Sequence, residues 1–159
     1  MRLKGVTDED FVNYKVPSMF LCTAVCSFKC DKDAGTTVCQ NSALANQPNF
    51  NLEDDYLIRR YLRNPITKAI VFGGLEPIDQ LSELYTFLSK LRHDYHCDDT
   101  VVIYTGYRDW EIQHKLNLLR TFPNLIVKFG RFAPNQQKRF DEVLGVYLAS
   151  PNQYAERIS

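Results

Sequence analysis

The sequence lacks an excess of either charge, because 19 lysine and arginine residues balance 19 aspartate and glutamate residues. Without a net charge there is no broad attraction to nucleic acid or to a membrane surface, and neither is expected as a partner. No apolar run is long enough to cross a bilayer, and the opening residues MRLKGVTDEDF have no apolar core of the signal-peptide type. We therefore expect a cytoplasmic protein.

Signals of the common zinc-binding type are also scarce. There are 3 histidines and no C-x2-C pair. His93 and His96 lie near Cys97 at the expected end of a helix, where the helix dipole favours histidine without any metal. We expect no second metal site there.

What the sequence has instead is a concentration of cysteine in the loop at about 22–41. Cys22, Cys26 and Cys30 are evenly spaced, and Cys39 follows after a polar segment. Thiols stay reduced in the cytoplasm, so clustered cysteines favour a metal or redox role over a structural disulfide. Three thiolates can hold an iron–sulfur cluster, and four can hold zinc. A non-enzymatic zinc-binding module that uses all four cysteines is therefore an alternative, although the short knuckles typical of such sites are absent.

The rest of the chain alternates between apolar strands and amphipathic helices, which predicts the α/β class. Strand–helix units of this kind form a parallel sheet with right-handed crossovers. A closed barrel of eight units needs about 250 residues. We therefore predict a single domain, residues 1–159, with about five βα units in an incomplete TIM-like barrel. Strands are expected at 16–25, 69–72, 101–104, 125–127 and 146–148, and helices at 52–62 after an Asn51 N-cap, from 78 to 91, from 109 to 122 and at 135–144.

Glycine-containing turns follow successive strands of this predicted sheet. GGLEP (73–77) follows the second strand, YTGY (104–107) the third and KFGR (128–131) the fourth, while the cysteine loop follows the first. The carboxyl ends of parallel strands meet at one edge, where α/β proteins bind their ligands. A cofactor site is therefore expected at this edge, beside the thiols.

The cysteine loop, the GGLEP turn and the YTGY turn together resemble the motifs of radical S-adenosylmethionine enzymes. The length and motif order are most similar to the small activating proteins of anaerobic ribonucleoside-triphosphate reductase. The resemblance covers nearly the whole chain and includes SPNQ at 150–153, which is similar to a Ser-Asn-Gln stretch near the end of those activators.

This resemblance implies one 4Fe-4S cluster held by three cysteines, with its fourth iron open to S-adenosylmethionine. Such an enzyme cleaves S-adenosylmethionine reductively to a 5′-deoxyadenosyl radical, which takes a hydrogen atom from a glycine of a glycyl-radical enzyme. A protein substrate of that class and a flavodoxin-like or ferredoxin-like electron donor are the implied partners. A radical S-adenosylmethionine enzyme with another substrate is an alternative, because the KFGR turn differs from the Asp-Gly-Lys-Phe style of the activators.

The usual family spacing, C-x3-C-x2-C, is absent, and two ligand sets are open: Cys22, Cys26 and Cys30, or Cys26, Cys30 and Cys39. We expect the second set. Evenly spaced cysteines on a helix would be strung along its axis at about 6 Å intervals, whereas the polar segment before Cys39 can double back. Asn41, two residues later, is similar to the Asn that follows the family's third cysteine. Cys22 would then pack as a small apolar side chain at the end of a strand.

The resemblance also implies which residues contact S-adenosylmethionine. In the family the Gly-Gly-Glu-Pro turn receives the amino group of the methionine moiety, and here Leu75 is inserted into it. Lys128 is a weaker candidate, for which exposure to solvent is the simpler expectation. The expected cofactor residues are Gly73, Gly74, Glu76, Tyr104, Thr105, Gly106 and Asn41.

Overall fold

A computed structural model describes the whole chain, residues 1–159, and contains nine strands. Seven of them form one sheet in the order β3-β1-β2-β4-β5-β6-β9, and β7 and β8 pair separately. In chain order the strands are β1 (Arg2–Asp10), β2 (Ser18–Thr23), β3 (Phe50–Asn51), β4 (Ala69–Gly74), β5 (Thr100–Tyr104), β6 (Leu125–Phe129), β7 (Arg139–Asp141), β8 (Val146–Leu148) and β9 (Tyr154–Arg157).

The centre of the sheet is parallel, as predicted. Strands β2, β4, β5 and β6 run in the same direction, and Phe72 of β4 is the Cα partner of Leu21 on one side and Ile103 on the other. Strands β1, β3 and β9 are antiparallel to their neighbours. The α/β class is therefore confirmed, with four parallel strands rather than about five units. The sheet does not close, since β3 and β9 form its edges, and a partial barrel stays a prediction.

Five α-helices accompany the sheet: α1 (Lys29–Ala34), α2 (Ser42–Ala45), α3 (Asp54–Arg63), α4 (Leu81–Ser89) and α5 (Gln113–Leu119). Single turns of 3-10 helix at Pro77–Gln80 and Asp109–Glu111 precede α4 and α5, and a π turn at Lys90–Asp94 extends α4. None of these helices has the length and apolarity that crossing a membrane requires.

Helices α3, α4 and α5 connect consecutive parallel strands and lie on one face of the sheet. Their buried side chains, such as Leu57, Phe87 and Leu116, form a 23-residue core with Ile70 and Phe72 of β4. The alternate β4 residues, Ala69 and Val71, face an eight-residue core on the other side. Because all three crossovers step across the sheet in the same direction, right-handed connections place their helices on the same face.

The opposite face is covered by the β7–β8 hairpin, through Leu144 and Leu148. The helix expected at 135–144 is therefore wrong. Asp141 accepts hydrogen bonds from the backbone N–H groups of Leu144 and Gly145, and Gly145 has a φ of 70°, so the chain turns back there as a hairpin. The strand at 146–148 is confirmed, although it pairs with β7 outside the main sheet.

Two local predictions also need correction. Asn51 lies in β3 and pairs with Arg2, so it does not cap α3, whose N-cap is Glu53. The first-turn residues Asp54 and Asp55 still favour the start of that helix, because carboxylates stabilise a helix N-terminus. The segment between Asp31 and Asn51, for which no helix or strand was predicted, contains most of α1, all of α2 and strand β3.

Candidate functional site

A cavity of about 450 Å³ opens at the carboxyl ends of the parallel strands. This volume is within the range of small-molecule and cofactor sites. The three expected ligand cysteines and every expected cofactor residue line it together. They are Cys26, Cys30, Cys39, Asn41, Gly73, Gly74, Glu76, Tyr104, Thr105 and Gly106. The predicted residues therefore converge, and the roles assigned to them stay predictions.

The segment that carries Cys26 is held by the turn after β4. The N–H of Glu76 donates to the Val25 carbonyl at 2.8 Å, and the N–H of Ser27 donates to the Asp79 carboxylate at 2.6 Å. Cys26 lies between these two contacts. Its position is thus fixed by the GGLEP turn and the 3-10 turn behind it.

Cys30 and Cys39 lie on either side of a fold in the cysteine loop. Cys30 is in the first turn of α1, which ends at Gly35 with a φ of 66°, a backbone conformation that glycine adopts without strain. The chain then returns. Asp31 accepts hydrogen bonds from the N–H groups of Val38 and Cys39 at 2.8 and 2.9 Å. The predicted doubling back of this segment is therefore present.

Cys22 lines the same cavity but is more buried than the other three thiols there. It is buried at the end of β2, and a Cβ atom added to Gly74 would lie 2.1 Å from its sulfur. The thiol is thus packed directly beneath the Gly-Gly turn. The role expected for Cys22, that of a small apolar side chain, stays a prediction.

Burial disfavours the ionised form of the Cys26 and Cys30 thiols. It raises the pKa of Cys26 to about 12, with smaller contributions from nearby Glu76, Asp79 and Cys39. The pKa of Cys30 is also raised by burial, then by the neighbouring Cys39. Because a metal binds the thiolate, uptake of metal at these cysteines must release protons.

The cavity presents four soft thiol donors, from Cys22, Cys26, Cys30 and Cys39. No group of three or more histidine, cysteine or acidic side chains is arranged around one ion position. Structural zinc requires four ligands at about 2.3 Å from one centre. Thiols are also the ligands that clusters of iron and sulfide use, so three of these four cysteines fit the ligand set of such a cluster.

Glu76 joins the turns that follow β4 and β5. Its Oε1 accepts from the N–H of Ile78 and the hydroxyl of Thr105, at 3.0 and 2.7 Å, and its Oε2 accepts from the N–H of Gly106 at 2.8 Å. Burial raises the pKa of Glu76 to about 7, although these hydrogen bonds favour the charged form. Glu76, Thr105 and Gly106 therefore form one connected wall of the cavity.

The inserted Leu75 is accommodated without opening the turn. Its side chain is nearly buried, and its N–H donates to the Thr23 carbonyl at 3.4 Å. The side chains of Thr23 and Asn41 donate to the carbonyls of Gly73 and Gly74. Asn41 thereby ties the end of the cysteine loop to the Gly-Gly turn.

Lys128 is not solvated, contrary to the simpler expectation. It is 7% exposed, lines the cavity and donates to the Gly130 carbonyl at 2.8 Å. Its ammonium group also lies 5.9 Å from the centre of the Tyr104 ring. Burial lowers the pKa of Lys128 to about 8, which the neighbouring Glu76 and Cys30 partly oppose.

The KFGR turn contributes a second residue whose role the sequence did not indicate. Arg131 donates to both carboxylate oxygens of Glu111, at 2.8 and 2.7 Å, and its Nε lies 2.8 Å from Asp33 of α1. Asp33 is paired in turn with Lys29. This ionic network fastens the helix that carries Cys30 to the end of the sheet.

The SPNQ stretch reaches the same turn from the other side. Gln153 lines the cavity and donates to the Gly130 carbonyl at 3.3 Å, and Asn152 donates to the Arg131 carbonyl at 2.8 Å. Gly130 has a φ of 95°, and a Cβ there would lie 2.6 Å from the carbonyl oxygen of Asn152. His93, His96 and Cys97 do not line the cavity.

A sequence model of the family described as 4Fe-4S single cluster domain matches residues 17–147. This span includes the cysteine loop and the three turns that follow β4, β5 and β6. The match supports an iron–sulfur protein that holds a 4Fe-4S cluster, which is compatible with an oxidoreductase role. No curated protein matches the chain, and no solved structure matches it.

Proposed function

The chain belongs to the 4Fe-4S single cluster domain family, and on that premise we propose that it is a radical S-adenosylmethionine enzyme of the glycyl-radical activating type. The observation that carries this proposal is the shared cavity. It brings Cys26, Cys30 and Cys39 together with the Gly-Gly turn and the Glu76 wall at the carboxyl ends of parallel strands.

Cys26, Cys30 and Cys39 are the proposed cluster ligands. A reduced 4Fe-4S cluster held there would supply the one electron needed to break a carbon–sulfur bond of S-adenosylmethionine, which would give methionine and a 5′-deoxyadenosyl radical. The chain's own task is to bind, orient and shield, since the cofactors carry the difficult chemistry.

The Gly-Gly turn can still accept a hydrogen bond from an amino group. The Gly74 carbonyl accepts one bond from the Asn41 side chain, and a carbonyl oxygen has two lone pairs. The Thr105 hydroxyl and the Gly106 N–H are both engaged with Glu76. We therefore assign Thr105 and Gly106 to shaping the cofactor wall rather than to offering free donors.

Lys128 is the proposed partner of the methionine carboxylate. An ammonium group has three donors, and one of them is used by the Gly130 carbonyl. The remaining donors lie in a buried place where an unpaired charge is costly. An anionic group in the cavity would satisfy them.

A protein substrate is supported by the shape and composition of the cavity mouth. Val12 and Tyr147 line the cavity and are 72% and 69% exposed. Phe140 stacks edge to face on Tyr147, with ring centres 5.2 Å apart. Exposed apolar side chains around an open site are typical of a surface that another protein covers. We propose that a glycyl-radical enzyme such as anaerobic ribonucleotide reductase supplies the hydrogen atom, and that a flavodoxin-like or ferredoxin-like protein supplies the electron.

The decisive experiment is anaerobic reconstitution followed by reduction with dithionite in the presence of S-adenosylmethionine. We expect brown protein with four irons per chain that forms 5′-deoxyadenosine. Loss of product in Cys26→Ala and retention in Cys97→Ala would localise the chemistry. Colourless protein that binds zinc instead of iron would contradict the proposal.

The substrate class needs its own measurement. A folded glycyl-radical enzyme should acquire a glycyl radical, detected by electron paramagnetic resonance, when it is mixed with the reduced activase. A short peptide with the same glycine should react far less. Equal reaction of peptide and folded partner would contradict a folded protein as the substrate.

A further inference from the structure

We propose that Asp31 is a positioning residue, which holds Cys39 beside the other ligand cysteines before any cluster is bound. The inference rests on the proposed ligand set of Cys26, Cys30 and Cys39, and does not depend on what the cluster is used for. It explains how Cys39 is brought back towards Cys30 although eight residues separate these two proposed ligands.

The hydrogen bonds that Asp31 accepts link the segments of two proposed ligands, Cys30 and Cys39. Asp31 follows Cys30 directly, and its Oδ1 accepts hydrogen bonds from the N–H groups of Val38 and Cys39 at 2.8 and 2.9 Å. The neighbour of one proposed ligand therefore holds the backbone of another. Hydrogen bonds from N–H groups to a carboxylate are among the stronger ones in proteins.

The ion pairs of Asp33 with Lys29 and Arg131 anchor α1 itself. Few other contacts hold the returning part of the loop. Helix α1 has no buried residue, and residues 32–37 are all exposed. The apolar core therefore does not determine where the loop returns. On the far side, Asn41 donates to the Gly74 carbonyl at 2.5 Å. Cys39 thus lies between two polar anchors, one on α1 and one on the turn after β4.

The consequence for cluster binding is entropic. A flexible loop loses conformational entropy when a ligand brings its ends together, and this loss weakens binding. In a loop that Asp31 has already closed, this entropy is lost during folding. Cluster binding then loses less entropy, and the cluster binds more tightly. Residues that orient metal ligands in this way typically change metal affinity by about 10- to 100-fold when they are replaced.

Two substitutions at the same position separate positioning from charge. Asp31→Ala removes both hydrogen bonds. Asp31→Asn keeps an amide oxygen that can accept both N–H groups, because a single oxygen of Asp31 accepts both. Thr36→Ala is the matched control in the same loop, since Thr36 is exposed.

The first measurement is made on cluster-free protein by amide hydrogen exchange. We expect the Val38 and Cys39 amides to be protected in the wild type, in Asp31→Asn and in Thr36→Ala, and to lose that protection in Asp31→Ala. Equal exchange in the wild type and Asp31→Ala would overturn the proposal without reference to iron. Circular dichroism on each variant ensures that a change is local.

The second measurement follows loss of the reconstituted cluster to an iron chelator. We expect Asp31→Ala to lose iron about 10- to 100-fold faster than the wild type. Asp31→Asn and Thr36→Ala should stay within about threefold, the range of surface substitutions. Unchanged retention in Asp31→Ala would overturn the inference, and so would wild-type protein that takes up no iron. Protein that shows the expected pattern yet makes no 5′-deoxyadenosine would contradict the proposed function alone.

Discussion

Gly74 lies directly over the sulfur of Cys22, and a Cβ atom at position 74 would come within 2.1 Å of it. Gly74 also has a φ of 83°, which side chains other than glycine rarely adopt. The Gly-Gly turn is therefore closed over the Cys22 thiol. The same contact places the turn where its carbonyls border the cavity.

This packing predicts that alanine substitutions at two glycines with positive φ, Gly35 and Gly74, differ in how much they lower the free energy of unfolding. Gly35→Ala has no atom within 4 Å of the new Cβ, so it should cost only the left-handed strain of about 1–2 kcal/mol. Gly74→Ala should cost about 1–3 kcal/mol more, because it must displace Cys22. Urea denaturation of both variants measures the difference. Cys22→Ala combined with Gly74→Ala should recover part of the loss, and strictly additive effects would contradict the contact.

The ligand set predicts a pattern across all five cysteines. Replacing Cys26, Cys30 or Cys39 by alanine should abolish the cluster, measured as bound iron and sulfide after anaerobic reconstitution. Cys22→Ala and Cys97→Ala should keep it, because Cys22 packs under Gly74 and Cys97 is buried outside the cavity. Loss of iron in Cys22→Ala with retention in Cys39→Ala would favour the other ligand set.

Glu76 predicts that the stability of the cluster-free protein depends on pH. Burial raises its pKa from an ordinary value of 4.5 to about 7. Between these values the folded chain binds more protons than the unfolded chain, so the free energy of unfolding should fall as the pH rises from about 4.5 to about 7. The contribution of Glu76 is fully present below pH 4.5 and is lost as the pH passes its folded pKa. The slope can reach about 1.4 kcal/mol per pH unit.

Urea denaturation at several pH values checks this prediction by comparison of variants. Glu76→Gln cannot titrate and should lack this slope. Glu142→Gln, an exposed site, should keep it and should change stability by no more than about 0.5 kcal/mol. Each variant differs from the wild type at one carboxylate only, so the difference between the curves isolates Glu76. Parallel curves for the wild type and Glu76→Gln would contradict the assignment.

Replacement of Lys128 is predicted to weaken cofactor binding without lowering the stability of the folded chain. Lys128→Met removes a buried charge that has one hydrogen bond, and such replacements are often neutral or stabilising. The same change should weaken binding of S-adenosylmethionine to the reconstituted protein by about 10-fold, if one charged hydrogen bond to its carboxylate is lost. Calorimetry and urea denaturation measure the two quantities. Lys68→Met, at an exposed site, should change neither, and unaltered binding in Lys128→Met would remove Lys128 from the site.

The parallel centre of the fold was predictable because its signal is local. Strands β4, β5 and β6 are short apolar runs that are buried on both faces, and the helices between them repeat apolar residues at helical spacing. The turns after these strands were predictable as neighbours for the same reason, since parallel strands end at one edge. The convergence of Glu76, Thr105 and Gly106 follows from that topology.

The outer strands were missed because their sequences are polar. Strand β1 reads RLKGVTDED and β9 begins with YAER, and neither contains an apolar run. Each becomes a strand only because a neighbouring edge offers backbone hydrogen-bond partners. The helix expected at 135–144 failed for a related reason. Its apolar spacing suits a helix, but Asp141 and Gly145 form a turn whose hairpin covers the second core.

The amino-acid sequence by itself determined the α/β class, the parallel order of the central strands and the residues that meet at their carboxyl ends, because apolar periodicity and turn chemistry act over a few neighbouring residues. Tertiary structure decided the rest. The surroundings of Cys22 and Cys39 depend on Gly74, which packs over the Cys22 sulfur, and on Asp31, which holds the backbone of Cys39. Whether Lys128 and Arg131 are solvated or engaged depends on Tyr104 and Glu111, which belong to an earlier part of the chain. Such contacts join residues distant in sequence, and their geometry exists only once the chain has folded.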